Sequence, residues 1–457
     1  MERNTVIKNI ARESYEKGNF TGTWLYAEKG EIVSVGAIGF RDSDDTLPVG
    51  EDTIFQLASV TKQFTAAAVM LLVREGKLSL DDDVTKFFPE LTAYKGATVR
   101  HLLTHTGGVP DYFGDMDWFV RIWKEEGRVP SNPEIVRFLS ETKLGPEFAP
   151  GEGFEYSNTG YNLLAEIVER VSGVKFEDFL GRNIFEPAGM TSTRAYHIRR
   201  DGIPFRNFAH GMAEENGRYI PAEDTEEYAD VTALDGLNGD DYVYSNVFDM
   251  LAWDRTLRAG NVLTIEEQKL MYTPAKLNDG RTAGFDEEEG YGFGWCASND
   301  PDHGLIVSHS GGMPGVSTWF ERFIDEDKTV VILSSREWTD YRAWNGLSSG
   351  IGKIARGEEP DPVRTVEDIA IKDPDRSLWE SFCGRYEHPE DADFIVDEIT
   401  MKDGELWAKA IDEDDDELSF KLYPIGENKF GRKGGMVEIE FGDGCLTVEG
   451  ITRKKIG

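Results

Sequence analysis

Apolar and polar positions change their rhythm several times along the chain. Over residues 23–26 and 31–39, two β-prone runs flank Glu28-Lys29-Gly30, the pattern of a hairpin whose further pairing partners must come from elsewhere. Over residues 59–276 the rhythm turns helical and loop-rich, punctuated by aromatics and prolines. Residues 59–75 are mostly apolar and are closed by Gly76 and the Asp81-Asp82-Asp83 run, which predicts a buried central helix. A second helix is predicted within 155–173, where Leu163, Leu164, Ile167, Val168 and Val171 make one apolar stripe and Gly173 supplies the stop.

Strand rhythm returns over 291–298, 305–308, 317–324 and 329–334. The connections Asn299-Asp300-Pro301-Asp302 and Asp325-Glu326-Asp327-Lys328 are short and turn-rich, so these runs read as an antiparallel meander. A helix rich in small residues, 344–356, follows. The simplest architecture lets the N-terminal hairpin complete this late sheet, with helices on its face and a large helical insertion between: an α+β domain over residues 1–358. Gly357-Glu358-Glu359-Pro360-Asp361-Pro362 reads as a linker. Beyond it, short strands at 379–386, 398–400, 406–411, 418–424, 436–441 and 445–451 predict a small antiparallel β-barrel or sandwich over 359–457, with 412–417 as a solvated hairpin tip.

Composition narrows the partners. The 457 residues carry 85 acidic and 49 basic side chains, a formal net charge of −36. Such a surface repels phosphate backbones and anionic membranes, so neither nucleic acid nor a membrane is an expected partner. At 39% hydrophobic and 29% charged residues the chain can bury a substantial core, and its length suits two domains. Residues 1–20 hold no apolar run that suits a signal peptide, and no stretch reaches the length of a membrane span. Cys296, Cys383 and Cys445 cannot all pair within one chain, so free thiols and a cytoplasmic location are expected.

Candidate chemistry centres on Gln56-Leu57-Ala58-Ser59-Val60-Thr61-Lys62. On a helix, residues three apart share a face, so the Ser59 hydroxyl and the Lys62 amine would point at one space. A serine needs such a neighbour, because only a base with a lowered pKa can take its proton near neutral pH. Alone, this spacing arises often by chance, and an exposed lysine at a helix start is its bland explanation. Two further stretches change the picture. Tyr156-Ser157-Asn158 would place a phenol and a carboxamide at a helix N-terminus, where Asn158 as a mere cap is the competing reading. His309-Ser310-Gly311-Gly312 ends a strand, and its glycines let backbone amides approach a ligand closely.

At these stretches the sequence resembles the penicillin-recognising serine hydrolases: class C β-lactamases, D-alanyl-D-alanine carboxypeptidases, D-aminopeptidases and related esterases. The resemblance runs over about residues 22–350 and takes in His101-Leu102-Leu103-Thr104-His105-Thr106-Gly107-Gly108, Glu186-Pro187-Ala188-Gly189-Met190 and Tyr291-Gly292-Phe293-Gly294-Trp295. It implies Ser59 as the acylated nucleophile, Lys62 as its proton acceptor, and Tyr156 as a phenol of lowered pKa that shares the base role and protonates the leaving group. It implies further that Asn158 holds Lys62 and the substrate's amide oxygen, and that the N–H groups of Ser59 and Gly312 form an oxyanion hole beside Gly311. Asp111 and Tyr112, after the Gly107-Gly108 turn, are candidates for the cleft rim. His309 departs from the lysine that many β-lactamases carry there, and is expected to supply a weaker, switchable positive charge. The C-terminal segment resembles the lipocalin-like domains appended to some D-aminopeptidases.

Other motifs are set aside. His101 and His105 have the spacing of two zinc ligands on a helix, but no glutamate follows His101 and no third ligand is evident, so no metal or other cofactor is expected. Gly346-Leu347-Ser348-Ser349-Gly350 matches a nucleophile elbow without a convincing strand before it, and reads as a helix packing through small residues. The favoured function is a D-aminopeptidase or D-stereospecific peptidase acting on a small molecule or short peptide. A β-lactamase, a carboxylesterase and a non-catalytic ligand-binding protein are the alternatives, and assembly into a homo-oligomer is left open.

Overall fold

The computed structural model describes the chain except residues 1, 2, 19, 204, 287, 337–340, 389–394, 412–416, 434–437, 443, 449 and 457. It forms two compact units: residues 1–8 with 20–337, and residues 9–19 with 338–457.

The first unit is built on an antiparallel sheet. Its strands are β1 (Gly22–Glu28), β2 (Glu31–Ile38), β3 (Gly290–Tyr291), β4 (Cys296–Asp300), β5 (Gly304–Met313), β6 (Val316–Phe323) and β7 (Lys328–Ser334). The 7-stranded order is β2-β1-β7-β6-β5-β4-β3. The N-terminal hairpin does complete the late meander: β1 pairs with β7 from Gly22↔Ser334 to Glu28↔Lys328. The run expected at 291–298 is two strands, because Gly292 and Gly294 break it. Gly294 has φ +75°, and a Cβ there would lie 2.7 Å from the Lys62 carbonyl oxygen. In the other direction, β5 continues well past 308, through the glycines of His309-Ser310-Gly311-Gly312, because β6 pairs with it as far as Met313↔Val316.

The helical insertion carries α2 (Lys62–Arg74) and α3 (Asn158–Ser172) among its helices, and α4 (Val247–Ala259) follows them. Residues Lys62 to Met70 of α2 are all buried, as an apolar helix demands. Its first turn differs from the expectation: Ala58–Thr61 is a 3-10 turn that precedes the α-helix proper. Helix α3 starts one residue after Ser157, which is its cap and accepts from the Gly160 N–H, so Asn158 is free of the capping role.

Helix α4 is tied to the sheet by buried charge. Asp254 accepts from Arg322 Nε of β6 at 2.6 Å and from Arg258 Nε at 3.1 Å, and neither Asp254 nor Arg322 is exposed beyond 1%. Burial raises the Asp254 pKa, but the arginines outweigh it and hold the carboxyl at about 2. Replacing Asp254 with alanine leaves guanidinium groups buried without a counter-charge and is expected to cost about 3–5 kcal/mol, read from urea unfolding. Because the folded pKa lies below the ordinary carboxylate value, this contribution is present above pH ~4 and fades as pH falls towards 2. A shift under 1 kcal/mol would show that the ion pair does not hold the helix.

In the second unit lie most of helix α1 (Arg3–Glu16), which the polar run 1–20 concealed, and α5 (Tyr341–Arg356). The elbow-like Gly346 and Gly350 are mid-helix in α5, set against Val363 and Ile10. The C-terminal strands fall into a 4-stranded and a 5-stranded antiparallel sheet, with no closed barrel among the described residues. Residues 379–386, expected as a strand, begin as a helical turn, Trp379–Phe382, and only Gly384–Arg385 is strand. Both aromatics of that turn enter a core with Phe430 and Phe441. The proposed hairpin tip at 412–416, and residues 436–437 of another expected strand, lie outside the described residues. Among the described residues no helix is long and apolar enough to cross a membrane.

Candidate active site

The candidate nucleophile, Ser59, is placed by a constrained turn. Ala58, just before Ser59, has φ +48°, a left-handed conformation that costs a non-glycine residue about 1 kcal/mol or more. Its neighbours impose it. Phe55 and Gln56 pair with Ser245 and Tyr244, the Leu57 N–H donates to the Val243 carbonyl at 2.8 Å, and Thr318 Oγ1 donates to the Leu57 carbonyl at 2.7 Å. Strand β5 presses on the same backbone: a Cβ on Gly311 would lie 2.2 Å from Thr318 Oγ1 and 2.4 Å from the Leu57 oxygen. Gly311, expected beside the oxyanion hole at the substrate, is thus glycine because the loop before Ser59 leaves no room for a side chain.

A 3-10 turn has three residues per turn, so Ser59 and Lys62 eclipse rather than merely share a face. Lys62 Nζ lies 2.9 Å from Ser59 Oγ, 2.7 Å from Asn158 Oδ1 and 3.2 Å from the Asp240 carbonyl oxygen. The ammonium is fully buried, and that burial lowers its pKa to about 8 against the opposing pull of Asp240, Asp111 and Asp241. Asn158 reaches Lys62 because Asp111 aims it: Asp111 Oδ2 accepts from the Asn158 backbone N–H at 2.6 Å and from Nδ2 at 2.9 Å. Asp111 therefore stands behind Asn158 instead of rimming the cleft. Tyr112 is 1% exposed and donates to Asp240 Oδ2 at 3.0 Å, which removes it from the rim as well.

Tyr156 adjoins this cluster, with Lys62 Nζ 4.9 Å from its ring centroid. Its hydroxyl is buried with no hydrogen bond formed, and burial holds its pKa well above 10, outweighing a smaller lowering by Ser59. The expected depression of this phenol is reversed, because burial of the hydroxyl itself dominates. His309 is likewise corrected. Burial and the nearby Lys62 lower its pKa to about 3, so it carries no charge near neutrality. Its Nδ1 lies 2.6 Å from the Ser310 carbonyl and its Nε2 2.9 Å from the Tyr291 hydroxyl, which fits a neutral ring with the proton on Nδ1. Gly312 lies on an open edge, since the β4 ladder ends at Ser308↔Cys296 while β5 runs on.

The structure thus gathers Ser59, Lys62, Tyr156, Asn158 and His309 at one place and sets Asp111 and Tyr112 behind them. Other members were missed. Asp240 and Asp241 belong to none of the motifs, yet both are buried, with Asp241 Oδ2 accepting from Gln56 Nε2 at 2.7 Å. Burial raises Asp241 to about 7. His105 packs its ring 4.4 Å from Tyr156, and its Nδ1 accepts from the Ser157 N–H. His101 instead meets Thr98, so the two histidines have separate partners. Among the described residues no group of His, Cys, Asp and Glu is arranged to hold a metal ion.

The Beta-lactamase family profile matches residues 7–345. Penicillin-binding protein 4* of Bacillus subtilis (strain 168) is 35% identical over 429 residues, covering 93% of this chain and 91% of that protein. The octameric penicillin-binding protein homologue from Pyrococcus abyssi has a similar structure, with TM-score 0.67 at 23% identity over 100% of both chains. D-amino acid amidase from Ochrobactrum anthropi SV3, complexed with D-phenylalanine, gives a TM-score of 0.64 at 22% identity over 78% of this chain and 98% of that one. These structural likenesses speak for the fold, an antiparallel sheet with helices of the β-lactamase type.

Proposed function

The chain belongs to the beta-lactamase family, and from that premise we propose that it is a serine hydrolase acting through an acyl-enzyme at Ser59, with D-amino-acid amides and D-aminoacyl peptides as the favoured substrates. The observation that carries the reading is the buried Lys62 amine held between Ser59 Oγ at 2.9 Å and Asn158 Oδ1 at 2.7 Å. Neutral Lys62 takes the Ser59 proton as Oγ bonds to the substrate's carbonyl carbon. The oxyanion is received by the N–H groups of Ser59 and Gly312, donors typically worth about 3–4 kcal/mol each when removed. As the intermediate collapses, the bond to the leaving nitrogen or oxygen breaks. Tyr156 protonates that atom and is reprotonated by the Lys62 ammonium. Water then adds to the acyl-enzyme, loses its proton to the same base, and releases the acid and Ser59.

His309 and Tyr156 are both neutral at the resting site, so neither serves as the base for the first step, which leaves Lys62 in that role. A screen of D- and L-aminoacyl p-nitroanilides, p-nitrophenyl esters and nitrocefin tests the reading. Turnover of D-aminoacyl amides with little nitrocefin hydrolysis is expected. Preference for L-substrates or fast nitrocefin turnover would overturn the favoured specificity, and no acylation by any probe would overturn the hydrolase reading itself.

A further inference from the structure

Beside Tyr156 stands an aromatic wall that the reaction itself does not use. Phe285 is 56% exposed, yet its ring centroid lies 5.7 Å from Tyr156, 5.4 Å from Phe154 and 6.2 Å from Tyr291. Over half of its surface is open to water beside that wall, so an apolar group laid against it would gain by burial. The position is built. Gly284 bridges to Gly290, and a Cβ on Gly284 would lie 2.3 Å from the Glu289 oxygen, so the two arms meet backbone to backbone. At the tip, Asp286 Oδ1 accepts from the N–H groups of Glu288 and Glu289, each at 2.7 Å, which turns the chain back directly after Phe285.

The charge on this side is one-sided. His309 has Nδ1 engaged by the Ser310 carbonyl and Nε2 by Tyr291, so it presents no free ring nitrogen to a ligand. Asp286 and Glu288 are exposed at the tip beside Phe285. A free carboxylate arriving here meets like charge, whereas an uncharged ring meets Phe285 face or edge. If Tyr156 delivers its proton to the leaving atom, the substituent on that atom passes along the ring that Phe285 and Tyr291 border.

We infer that Phe285 is a specificity-determining residue for the leaving group, favouring an uncharged aromatic or bulky apolar amine or alcohol, and that Asp286 and Glu288 disfavour one bearing a carboxylate. The inference rests on the hydrolase reading and deepens it. Its test uses the full chain with alanine p-nitroanilide, alanine 4-carboxyanilide and alaninamide, each as the D and L form. Wild-type protein is expected to favour the p-nitroanilide over the carboxyanilide. Phe285→Ala should lower kcat/KM for the p-nitroanilide on the order of tenfold, chiefly through KM, since one well-placed ring contact is worth about that factor. Alaninamide, whose leaving group is ammonia, should stay within about twofold. Asp286→Asn with Glu288→Gln should raise the relative rate on the carboxyanilide. Equal losses on all these substrates after Phe285→Ala, or none, would overturn the inference. Fluorophosphonate labelling of Ser59 separates the causes: a Phe285→Ala protein that labels fully is folded and competent, whereas a wild-type protein that never labels fails as a hydrolase and takes the inference with it.

Discussion

Ser59→Ala is expected to abolish turnover of every amide and ester the wild-type protein cleaves and to remove its covalent labelling by a fluorophosphonate. The loss should be on the order of 10⁴-fold or more, because a nucleophile that forms the acyl intermediate has no substitute among the neighbouring groups. The fold should not suffer. Removing Oγ takes one contact from Lys62 and leaves it Asn158 Oδ1 at 2.7 Å and the Asp240 carbonyl at 3.2 Å. The strained Ala58 turn is held by Val243, Thr318 and the close approach of Gly311, none of which involves the serine side chain. The checks are intact-protein mass after labelling and a melting temperature within a few degrees of wild type. Undiminished labelling of Ser59→Ala would place the nucleophile elsewhere.

Why Ser59 and Lys62 could be found in the sequence while the charges around them could not follows from what each depends on. Spacing along one turn is local, so a serine three residues before a lysine is visible without a fold, and the 3-10 start of the segment only tightens it. The meander was legible for the same reason: 317–324 and 329–334 alternate or run apolar between acidic turns, and they are strands β6 and β7 within a residue at each end. Burial is not local. Asp240 and Asp241 stand in no motif, Asp111 pointed to the cleft rim, and only the packed structure puts all three around one lysine. Likewise Tyr112 followed a glycine turn that suggested a rim, and it is buried. The glycines of β5 disfavour a strand by propensity, and β6 overrides them by pairing. Helix α1 hides Ile7, Ile10 and Ala11 on one face of an otherwise polar run. Trp379 and Phe382 read as strand residues, yet at a spacing of three they bury together on one helical turn.

Lys62 gives the second large effect, and its sign is fixed by which protonation state works. The neutral amine is the base, and burial lowers its pKa to about 8, so kcat/KM should rise with pH, about tenfold per unit at the acid end, and level off above pH ~8. His309, at about 3, is already neutral throughout that range, and Tyr156 stays protonated, so neither adds a limb between pH 5 and 9. Asp111 and Asp241 sit at about 6 and 7, and as they ionise they raise the Lys62 pKa, which broadens the rise without reversing it. Lys62→Met should cost roughly 10²–10⁴-fold in kcat/KM and flatten the profile. The same desolvation has a stability signature. A lysine whose folded pKa lies below its unfolded value of ~10.4 destabilises the fold at neutral pH, a penalty that fades as pH rises from 8 towards 10. Lys62→Met should therefore be more stable than wild type at pH 7, by about 1–3 kcal/mol, and the gap should close in alkali. An inactive Lys62→Met that is also less stable at every pH would mean that Lys62 holds the site together as an ammonium, and a wild-type profile flat from pH 6 to 9 would remove it as the base.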